Sequence, residues 1–378
     1  MKILFVIDSL SLGGSEKSLT SLLGFLAPEP GVEIDLMRVS PRGELEPLVP
    51  ANVRKSEVEV FPKTGIYKYV SLASRALMSL DRKFRPRAKE AERFWRYMGP
   101  SVPKCRQEYD VAVAYHQGFP TYYVATKVKA RRKVAWVNAH LDAVGYSPEF
   151  NGRFYRKFDC IVTASEPLSR LFAQTYGDER AKIVTVNDII SPKLLHELAD
   201  SEPDPYDERS PLEILTVGRL EPVKGQDMAI NAAKLLSDKG LTFRWHFIGG
   251  GSMRGMLNAQ IQALGLEGKV ILHGPKVNPY PWYNGCDLYV HPSRSEGYGI
   301  APCEARVFGL PVVVTDFPVA PTVVTEGVDG VICPMSAEGI AEGVMKLADP
   351  QTRAQFRPSF TDVTRQTVGR VKNILGIV

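Results

Sequence analysis

In the second half of the chain, short apolar runs alternate with longer segments in which apolar residues recur every three or four positions. The short runs predict β-strands and the longer segments predict helices. The predicted strands are residues 212–217, 244–248, 270–273, 287–291, 311–315 and 330–333. The first half opens in the same way, with an apolar run at 3–7, a glycine turn and an apolar-periodic segment. This alternation predicts α/β architecture with parallel, helix-covered sheets.

A polar run broken by prolines, residues 200–211 (DSEPDPYDERSP), separates the two sets of alternating elements. The chain has 378 residues, which is more than twice a common domain size. We therefore predict a first domain at 1–190, a linker at 191–211 and a second domain at 212–360. Residues 361–378 form a tail that is predicted to be helical.

The segment SEGYGIAPCE, residues 295–304, lies between a predicted strand and a predicted helix. Ligands of parallel sheets collect at such strand-to-helix crossings. Gly297 and Gly299 allow close approach of the backbone to a ligand, and the helix that begins near Ile300 directs free N–H groups at an anion. Glu296 and Glu304 can accept hydrogen bonds from hydroxyl groups on either side of that anion. Alone, the pair is also compatible with a surface loop carrying two solvated glutamates.

A second crossing contains GRLEPVKG, residues 218–225, after the strand at 212–217 and before a helix predicted at 226–236. Arg219 and Lys224 can bind phosphate oxygens, whereas a solvated basic turn is the alternative for this segment by itself. A third crossing begins with Gly13 and Gly14 after the strand at 3–7. It does not have the GxGxxG pattern, so a nicotinamide cofactor is weakly supported.

Together these three crossings resemble those of the family 4 retaining glycosyltransferases, whose GT-B fold has two Rossmann-like domains with parallel sheets facing across a cleft. Two further stretches are similar to bacterial members that build capsule, exopolysaccharide or lipid-linked glycans. They are YDVAVAYHQGFPT at 109–121 and KVAWVNAHLD at 133–142. The resemblance covers nearly the whole chain and implies an acceptor-binding first domain, a nucleotide-sugar-binding second domain and a tail that returns to the first.

The resemblance also implies roles for individual residues. Glu304 would bind ribose hydroxyls, Glu296 the hydroxyls of the donor sugar, and Arg219 with Lys224 the diphosphate. The other implied donor-site positions are Gly14, Gly297, Tyr298, Gly299 and Ile300, and Gly13 and Gly14 form the loop near the acceptor. Related sequences tend to have a histidine where this chain has Asn138, and His140 lies two positions later. Both are kept as catalytic candidates beside Glu296, although a histidine in a loop is more often without function.

The implied reaction transfers a hexose-type sugar, with a UDP-sugar as the expected donor, to a hydroxyl of a glycan with retention at the anomeric carbon. The acceptor is expected to be lipid-linked. No DxD motif occurs, so no metal and no cofactor beyond the donor substrate are expected. Two alternatives remain: a GT-B sugar-nucleotide epimerase or phosphorylase, and a non-catalytic sugar-nucleotide-binding scaffold.

Charge is uneven along the chain. Residues 75–106 contain ten Lys or Arg against three acids, a net charge of +7, whereas the whole chain has +5 and the remainder therefore −2. Apolar residues recur in this segment at three- and four-residue steps, although Pro86 must kink or split any helix. Two interpretations stay open: the stripe lies on an anionic membrane surface, or it packs on the first domain with solvated charges. Nucleic-acid binding is not indicated, because no helix-turn-helix or aromatic RNA-binding motif occurs.

The five cysteines form no CxxC pair and have no histidine partner at zinc spacing, which is typical of buried thiols in a reducing compartment. The apolar run at the N-terminus is too short for a signal peptide, and no stretch has the length needed to span a bilayer. The expected location is therefore cytoplasmic, or peripheral on the inner face of the cytoplasmic membrane.

Overall fold

The structure, a computed structural model, describes residues 1–40, 43–61, 65–84, 89–139, 145–177, 182–206, 209–358 and 360–377. The chain divides into two compact units. The first contains residues 1–11, 15–189 and 365–378, and the second contains residues 12–14 and 190–364.

The described part of the first unit contains a seven-stranded parallel sheet in the order β3-β2-β1-β4-β5-β6-β7. Its strands are β1 (Lys2–Ile7), β2 (Glu33–Arg38), β3 (Arg54–Glu57), β4 (Glu108–Ala114), β5 (Lys129–Val137), β6 (Cys160–Thr163) and β7 (Lys182–Thr185). The central strand β1 is apolar almost throughout because helices cover both faces of such a sheet, and Ile3 to Ile7 are fully buried.

The helices of this part of the chain are α1 (Gly14–Leu26), α2 (Gly65–Phe84), α3 (Glu90–Met98), α4 (Phe119–Lys127), α5 (Pro148–Tyr155) and α6 (Glu166–Tyr176). Helix α1 buries a stripe that includes Leu19, Leu22, Leu23 and Leu26, which is the three- and four-residue spacing expected of a surface helix.

The second unit contains, among its described residues, a six-stranded parallel sheet in the order β10-β9-β8-β11-β12-β13. Its strands are β8 (Glu213–Val217), β9 (Arg244–Ile248), β10 (Val270–Gly274), β11 (Leu288–His291), β12 (Val312–Thr315) and β13 (Gly330–Cys333). Its helices are α7 (Pro192–Ala199), α8 (Gln226–Asp238), α9 (Arg254–Ala263), α10 (Tyr280–Gly285), α11 (Ile300–Val307), α12 (Ala320–Val323), α13 (Ala337–Ala348) and α14 (Pro350–Arg353). The last helix, α15 (Thr364–Leu375), falls almost entirely within the first unit.

Successive residues of β8 point to opposite faces of this sheet. Ile214 packs in a cluster with Trp245 and Phe247, whereas Leu215 packs in another with Tyr289 and other residues. Both faces are therefore buried under helices. The predicted α/β architecture with parallel sheets is confirmed in both units.

The predicted linker, residues 191–211, contains a helix. Helix α7 occupies its first part, where Ser191 Oγ accepts a hydrogen bond from the Leu194 amide at 3.5 Å. Leu195 and Ala199 are buried in the core of the second unit. The helix forms because its apolar face packs there.

The basic segment 75–106 is divided between α2 and α3. Residues 85–88, which include the predicted breakpoint Pro86, lie outside the described residues. In α3, Trp95 and Met98 are buried, so this half of the apolar stripe packs within the first unit. In α2, by contrast, Leu77, Leu80 and Phe84 are exposed. Neither of the two interpretations of the segment therefore describes all of it.

Candidate functional site

The two loops with the strongest sequence motifs follow neighbouring strands of the second sheet. Strand β8 leads into residues 218–225, and β11 leads into residues 292–299. The chain order reverses between β8 and β11, since β9 and β10 lie on one side and β12 and β13 on the other. Ligands of doubly wound sheets bind at the carboxyl ends of the strands beside such a switch point.

Close backbone packing holds these two loops together. Gly225 precedes α8 in a left-handed conformation, with φ of 66°, and a Cβ atom added there would lie 1.9 Å from the Pro292 carbonyl oxygen. Only glycine fits both constraints. Arg294 adds a second link, because its Nη1 and Nη2 donate to the Asp227 carboxylate at 2.9 and 2.7 Å.

Glu296 is the centre of the resulting cluster. Its Oε1 accepts hydrogen bonds from Lys224 Nζ at 2.5 Å, Ser293 Oγ at 2.6 Å and His291 Nε2 at 2.7 Å. Burial alone would raise the pKa of Glu296, but the charge of Lys224 and the hydrogen bond from His291 outweigh it and hold that pKa well below its ordinary value. The carboxylate is therefore anionic. Its Oε2 accepts no hydrogen bond from the described residues and is the oxygen available to a ligand.

Two further groups at this switch point can meet an anion. Arg219 is exposed, and its guanidinium makes no hydrogen bond or ion pair with any other residue that the structure describes. Helix α11 begins after Gly299, which has φ of 102° and supplies no side-chain cap. The amides of Ile300 and Ala301 have no partner within the helix, so they and the positive end of the helix dipole face the region before it.

Glu304 lies one turn inside α11 and is buried. The hydroxyl of Tyr280 donates to its Oε1 at 2.8 Å, and that of Tyr283 donates to its Oε2 at 3.1 Å. Both tyrosines belong to α10. Burial is the main cause that raises the pKa of each tyrosine well above its ordinary value, so both hydroxyls stay protonated as donors. A carboxylate has about four acceptor positions in all, of which these two hydroxyls occupy two.

The sheet of the first unit has its own switch point, between β1 and β4. Asp8 follows β1 and His116 follows β4, and His116 Nδ1 lies 2.7 Å from Asp8 Oδ2. A carboxylate in this position orients an imidazole and fixes which of its nitrogens carries a proton. The second nitrogen, Nε2, lies 3.5 Å from Gln117 Nε2.

An apolar pocket of about 700 Å³ adjoins Asp8 in the first unit. Its lining is dominated by side chains that follow β2 and β3 or belong to α2, α3 and α4. They include Val39, Val58, Phe61, Met78, Phe94 and Phe119. This end of the first sheet thus combines a carboxylate–imidazole pair with a large apolar surface.

Of the catalytic candidates in this unit, Asn138 directly follows β5. Its Nδ2 donates to the Tyr115 carbonyl at 3.0 Å and its amide donates to Gln117 Oε1 at 3.2 Å, whereas its buried Oδ1 has no hydrogen-bond partner among the described residues. The observed bonds hold the loop after β4 against that after β5. His140 lies outside the described residues. Gly14 begins α1, and Gly13 and Gly14 group with the second unit.

Sequence reasoning did not identify His291, Ser293, Tyr280 and Tyr283 as partners of the two glutamates, nor the pair Asp8 and His116. A signal existed for Asp8, His116 and His291, because polar residues that end an apolar strand collect at the ligand-binding edge of a parallel sheet. No comparable signal marks the tyrosines, since their spacing is that of core residues of a helix.

Among the described residues, no three or more His, Cys, Asp and Glu side chains are grouped so that they could hold a metal ion. Nor does any described helix combine the length and the apolar character needed to cross a bilayer.

Comparison with known families matches residues 202–359 to the family described as glycosyl transferases group 1. This range contains β8 to β13 and all of the residues around Glu296 and Glu304. Residues 202–359 are a glycosyltransferase group 1 domain. The resemblance to glycosyltransferases that the motifs indicated is thereby confirmed for these residues.

Two curated relatives illustrate the extent of the similarity. D-inositol 3-phosphate glycosyltransferase of Kribbella flavida is 30% identical over 165 residues, which are 41% of this chain and 37% of that protein. The putative colanic acid biosynthesis glycosyltransferase WcaL of Escherichia coli is 30% identical over 182 residues, or 45% and 42% of the two chains. The chain thus spans about two fifths of the length of each of these relatives.

The solved structure of Anabaena Alr3699/HepE in complex with UDP and glucose is similar over the whole length. Its TM-score is 0.73, with 100% of both chains covered and 16% sequence identity. At this identity the similarity establishes the fold, which is GT-B as predicted. The group 1 domain is accordingly one of two Rossmann-like units of a GT-B chain.

Proposed function

We propose that this chain is a retaining glycosyltransferase of family 4 that needs no metal ion. It transfers a hexose-type sugar from a nucleoside diphosphate sugar, with a UDP-sugar as the expected donor, to a hydroxyl of a lipid-linked glycan in bacterial cell-surface polysaccharide synthesis. The observation that carries the proposal is the convergence of Lys224 and Glu296 beside the exposed Arg219 and the uncapped start of α11.

In the proposed complex the diphosphate lies at the start of α11. Arg219 and the amides of Ile300 and Ala301 donate hydrogen bonds to its oxygens, and Lys224 adds a positive charge. The ribose hydroxyls donate to Glu304, whose carboxylate Tyr280 and Tyr283 already hold in place. Gly297 and Tyr298 then lie along the donor sugar, between the two glutamates.

Glu296 serves to position the sugar. Its Oε1 is occupied by three donors, so Oε2 accepts a hydroxyl of the donor sugar, and the low pKa of the carboxylate keeps it an acceptor. The bond between the anomeric carbon and the diphosphate oxygen breaks while the acceptor oxygen bonds to the same carbon from the same face. The acceptor proton passes to the leaving phosphate oxygen. Arg219, Lys224 and the helix dipole stabilise the negative charge that develops on the diphosphate, as a bound metal ion would.

The acceptor is assigned to the first unit. The pair Asp8 and His116 at the switch point of the first sheet can accept or donate a hydrogen bond to the acceptor hydroxyl. The adjoining apolar pocket suits the hydrocarbon part of a lipid-linked acceptor, which a free sugar would leave empty. Asn138 and His140 stay candidates for catalysis, Gly13 for contact with the acceptor, and Gly14 for contact with both substrates.

The names of the similar proteins support the donor and the acceptor class. The structure of Alr3699/HepE was solved with UDP and glucose, and WcaL is named for colanic acid biosynthesis. The Kribbella flavida relative is named for D-inositol 3-phosphate, so an inositol phosphate belongs in any panel of acceptors.

The first test is a thermal-shift screen of the whole chain against UDP, GDP, ADP, CMP and their common sugar conjugates, with and without EDTA. A ligand that binds only the folded protein raises its melting temperature. We expect a shift with UDP and UDP-sugars that EDTA does not change, and a loss of that shift in Glu304→Ala. Glu342→Ala, an exposed glutamate on α13, is the control and should keep it.

A transfer assay with lipid-linked glycan acceptors follows, with the anomeric configuration of the product measured by NMR. A product with inverted configuration would refute the retaining mechanism. Turnover of the donor without any acceptor would favour an epimerase. Turnover that occurs with inorganic phosphate would favour a phosphorylase. A folded protein that binds none of the nucleotides would instead support a scaffold.

A further inference from the structure

In a helix that packs on a protein core the large apolar side chains face the protein, whereas in α2 most of them face the solvent. Large apolar side chains lie on its solvent face, each between 52% and 77% exposed: Tyr69, Leu72, Leu77, Leu80 and Phe84. The face toward the protein includes the buried Ser71 and Ser74 and the partly buried Val70 and Met78. The helix therefore keeps its most apolar surface in water.

These exposed residues form one continuous surface. At 100° per residue they fall within an arc of about 140°, together with the exposed Ala73 and Ala76. From Tyr69 to Phe84 the arc runs for about 22 Å at 1.5 Å per residue. We call this surface the α2 stripe. Exposed apolar patches of this extent mark sites of interaction in soluble proteins.

The charged side chains that α2 itself presents within and beside the α2 stripe are of one sign, and its Arg82 is paired with Glu90 of α3. The acid of this helix, Asp81, faces inward, where its carboxylate accepts hydrogen bonds from Arg93 Nε at 3.1 Å and the Tyr97 hydroxyl at 3.0 Å. Lys83 is exposed within the arc and makes no ion pair with another described residue, and Arg75 is exposed beside it. The outward face of α2 therefore presents cations and no carboxylate.

We propose that the α2 stripe lies on the surface of an anionic lipid bilayer. Apolar side chains in a broad arc with basic residues around them are typical of interfacial helices, which insert the apolar face among acyl chains and place the cations at lipid phosphates. A second copy of this chain fits less well, because pairing two stripes would bring Lys83 and Arg75 of each copy toward cations of the other.

Another feature agrees with this assignment. Two residues of the same helix, Met78 and Arg82, line the apolar pocket beside Asp8. A lipid-linked acceptor held in that pocket would therefore be next to the bilayer that carries its hydrocarbon. The membrane proposal goes beyond the transferase proposal and does not depend on the donor or the reaction.

The test is flotation of the full chain with vesicles of phosphatidylcholine alone or with about 30% phosphatidylglycerol. Three variants are compared with the unchanged protein: Leu77→Ser/Leu80→Ser, Lys83→Gln, and the control Met256→Ser. Met256 is on α9 of the second unit and is 51% exposed, against 52% for Leu80, so it matches the loss of an exposed apolar side chain. Because all of these residues are exposed, the melting temperature and its shift with UDP should not change.

We expect flotation with the anionic vesicles that decreases as salt is added. The partition coefficient should fall at least about tenfold in the double leucine variant and about fivefold in Lys83→Gln, and stay unchanged in Met256→Ser. Equal binding to both kinds of vesicle, no binding to either, or an equal loss in Met256→Ser would each overturn the proposal. So would a dimer in solution that the leucine variant dissociates, because the stripe would then bind a second copy.

The two proposals fail in different ways. A protein that floats with anionic vesicles but shows no melting shift with any nucleotide would contradict the transferase and leave the α2 stripe established. A protein that binds UDP but does not float with vesicles would contradict the membrane proposal and leave the donor site supported.

Discussion

The contrast between Lys224 and Arg219 provides the sharpest test of the donor site. Both are assigned to the diphosphate, but Lys224 is also bonded to Glu296 at 2.5 Å, with 19% and 11% of the two side chains exposed. Arg219 is exposed and has no hydrogen-bonding partner for its guanidinium among the described residues. Substitution of either residue by methionine should therefore weaken donor binding, whereas only Lys224→Met should destabilise the fold.

The magnitudes follow from these environments. Loss of a charged hydrogen bond to a phosphate costs about 1.5–3 kcal/mol, or roughly a 10- to 150-fold rise in the dissociation constant for the donor. In Lys224→Met, the buried carboxylate of Glu296 also loses its cation, although Ser293 and His291 still donate to it. We expect a decrease of about 1–3 kcal/mol in the free energy of unfolding, since an under-satisfied buried charge has that cost. Arg219→Met should change the free energy of unfolding by less than about 0.5 kcal/mol.

Donor affinity is measured by titration calorimetry with the nucleotide that the thermal-shift screen identifies, and stability by urea denaturation. The double variant Lys224→Met/Glu296→Gln separates the two effects, because it removes the charge that Lys224→Met leaves unpaired. It should recover most of the stability and none of the donor affinity. Unchanged donor affinity in both single variants would refute the placement of the diphosphate. Unchanged stability in Lys224→Met would refute the importance of the ion pair to the fold.

Two further predictions concern stability alone. Burial, opposed by a hydrogen bond with Ser18, raises the pKa of Asp188 from 3.8 to about 6. The folded state therefore binds this proton more tightly than the unfolded state does. As a result, the free energy of unfolding decreases as the pH rises from about 4 to about 6. Asp188→Asn should therefore be more stable than the unchanged protein by about 1–3 kcal/mol at pH 7.5 and by little at pH 4; a difference in urea midpoints that does not vary with pH would contradict this. Gly225→Ala should lose more than about 3 kcal/mol, because its left-handed backbone and the Pro292 carbonyl both exclude a Cβ atom. Gly265→Ala, with φ of 64° and open space around the Cβ position, should lose only about 1–2 kcal/mol, and equal losses in the two alanine variants would show that the contact with Pro292 is unimportant.

Much of the fold depends on short sequence patterns and could therefore be predicted from the sequence. The strands of the second unit begin and end within one residue of the predicted ranges, because each is a short apolar run bounded by turn residues. The helix after Gly225 and the helix that begins at Ile300 were predicted for the same reason. Glycine positions at the crossings, together with the charged residues after them, were enough to indicate an anion site, since both depend on local backbone geometry and residue type.

Only the tertiary structure decided which of these residues meet. Lys224 and Glu296 are 72 positions apart, and they become neighbours because β8 and β11 pair at the switch point of the sheet. The partners of Glu304 come from α10, whose tyrosines have the spacing of ordinary core residues. Periodicity likewise identified the apolar stripe of the basic segment but not the side it faces. That side depends on what packs against α2: Ser71, Ser74 and Met78 face the protein, so Leu77 and Leu80 face the solvent.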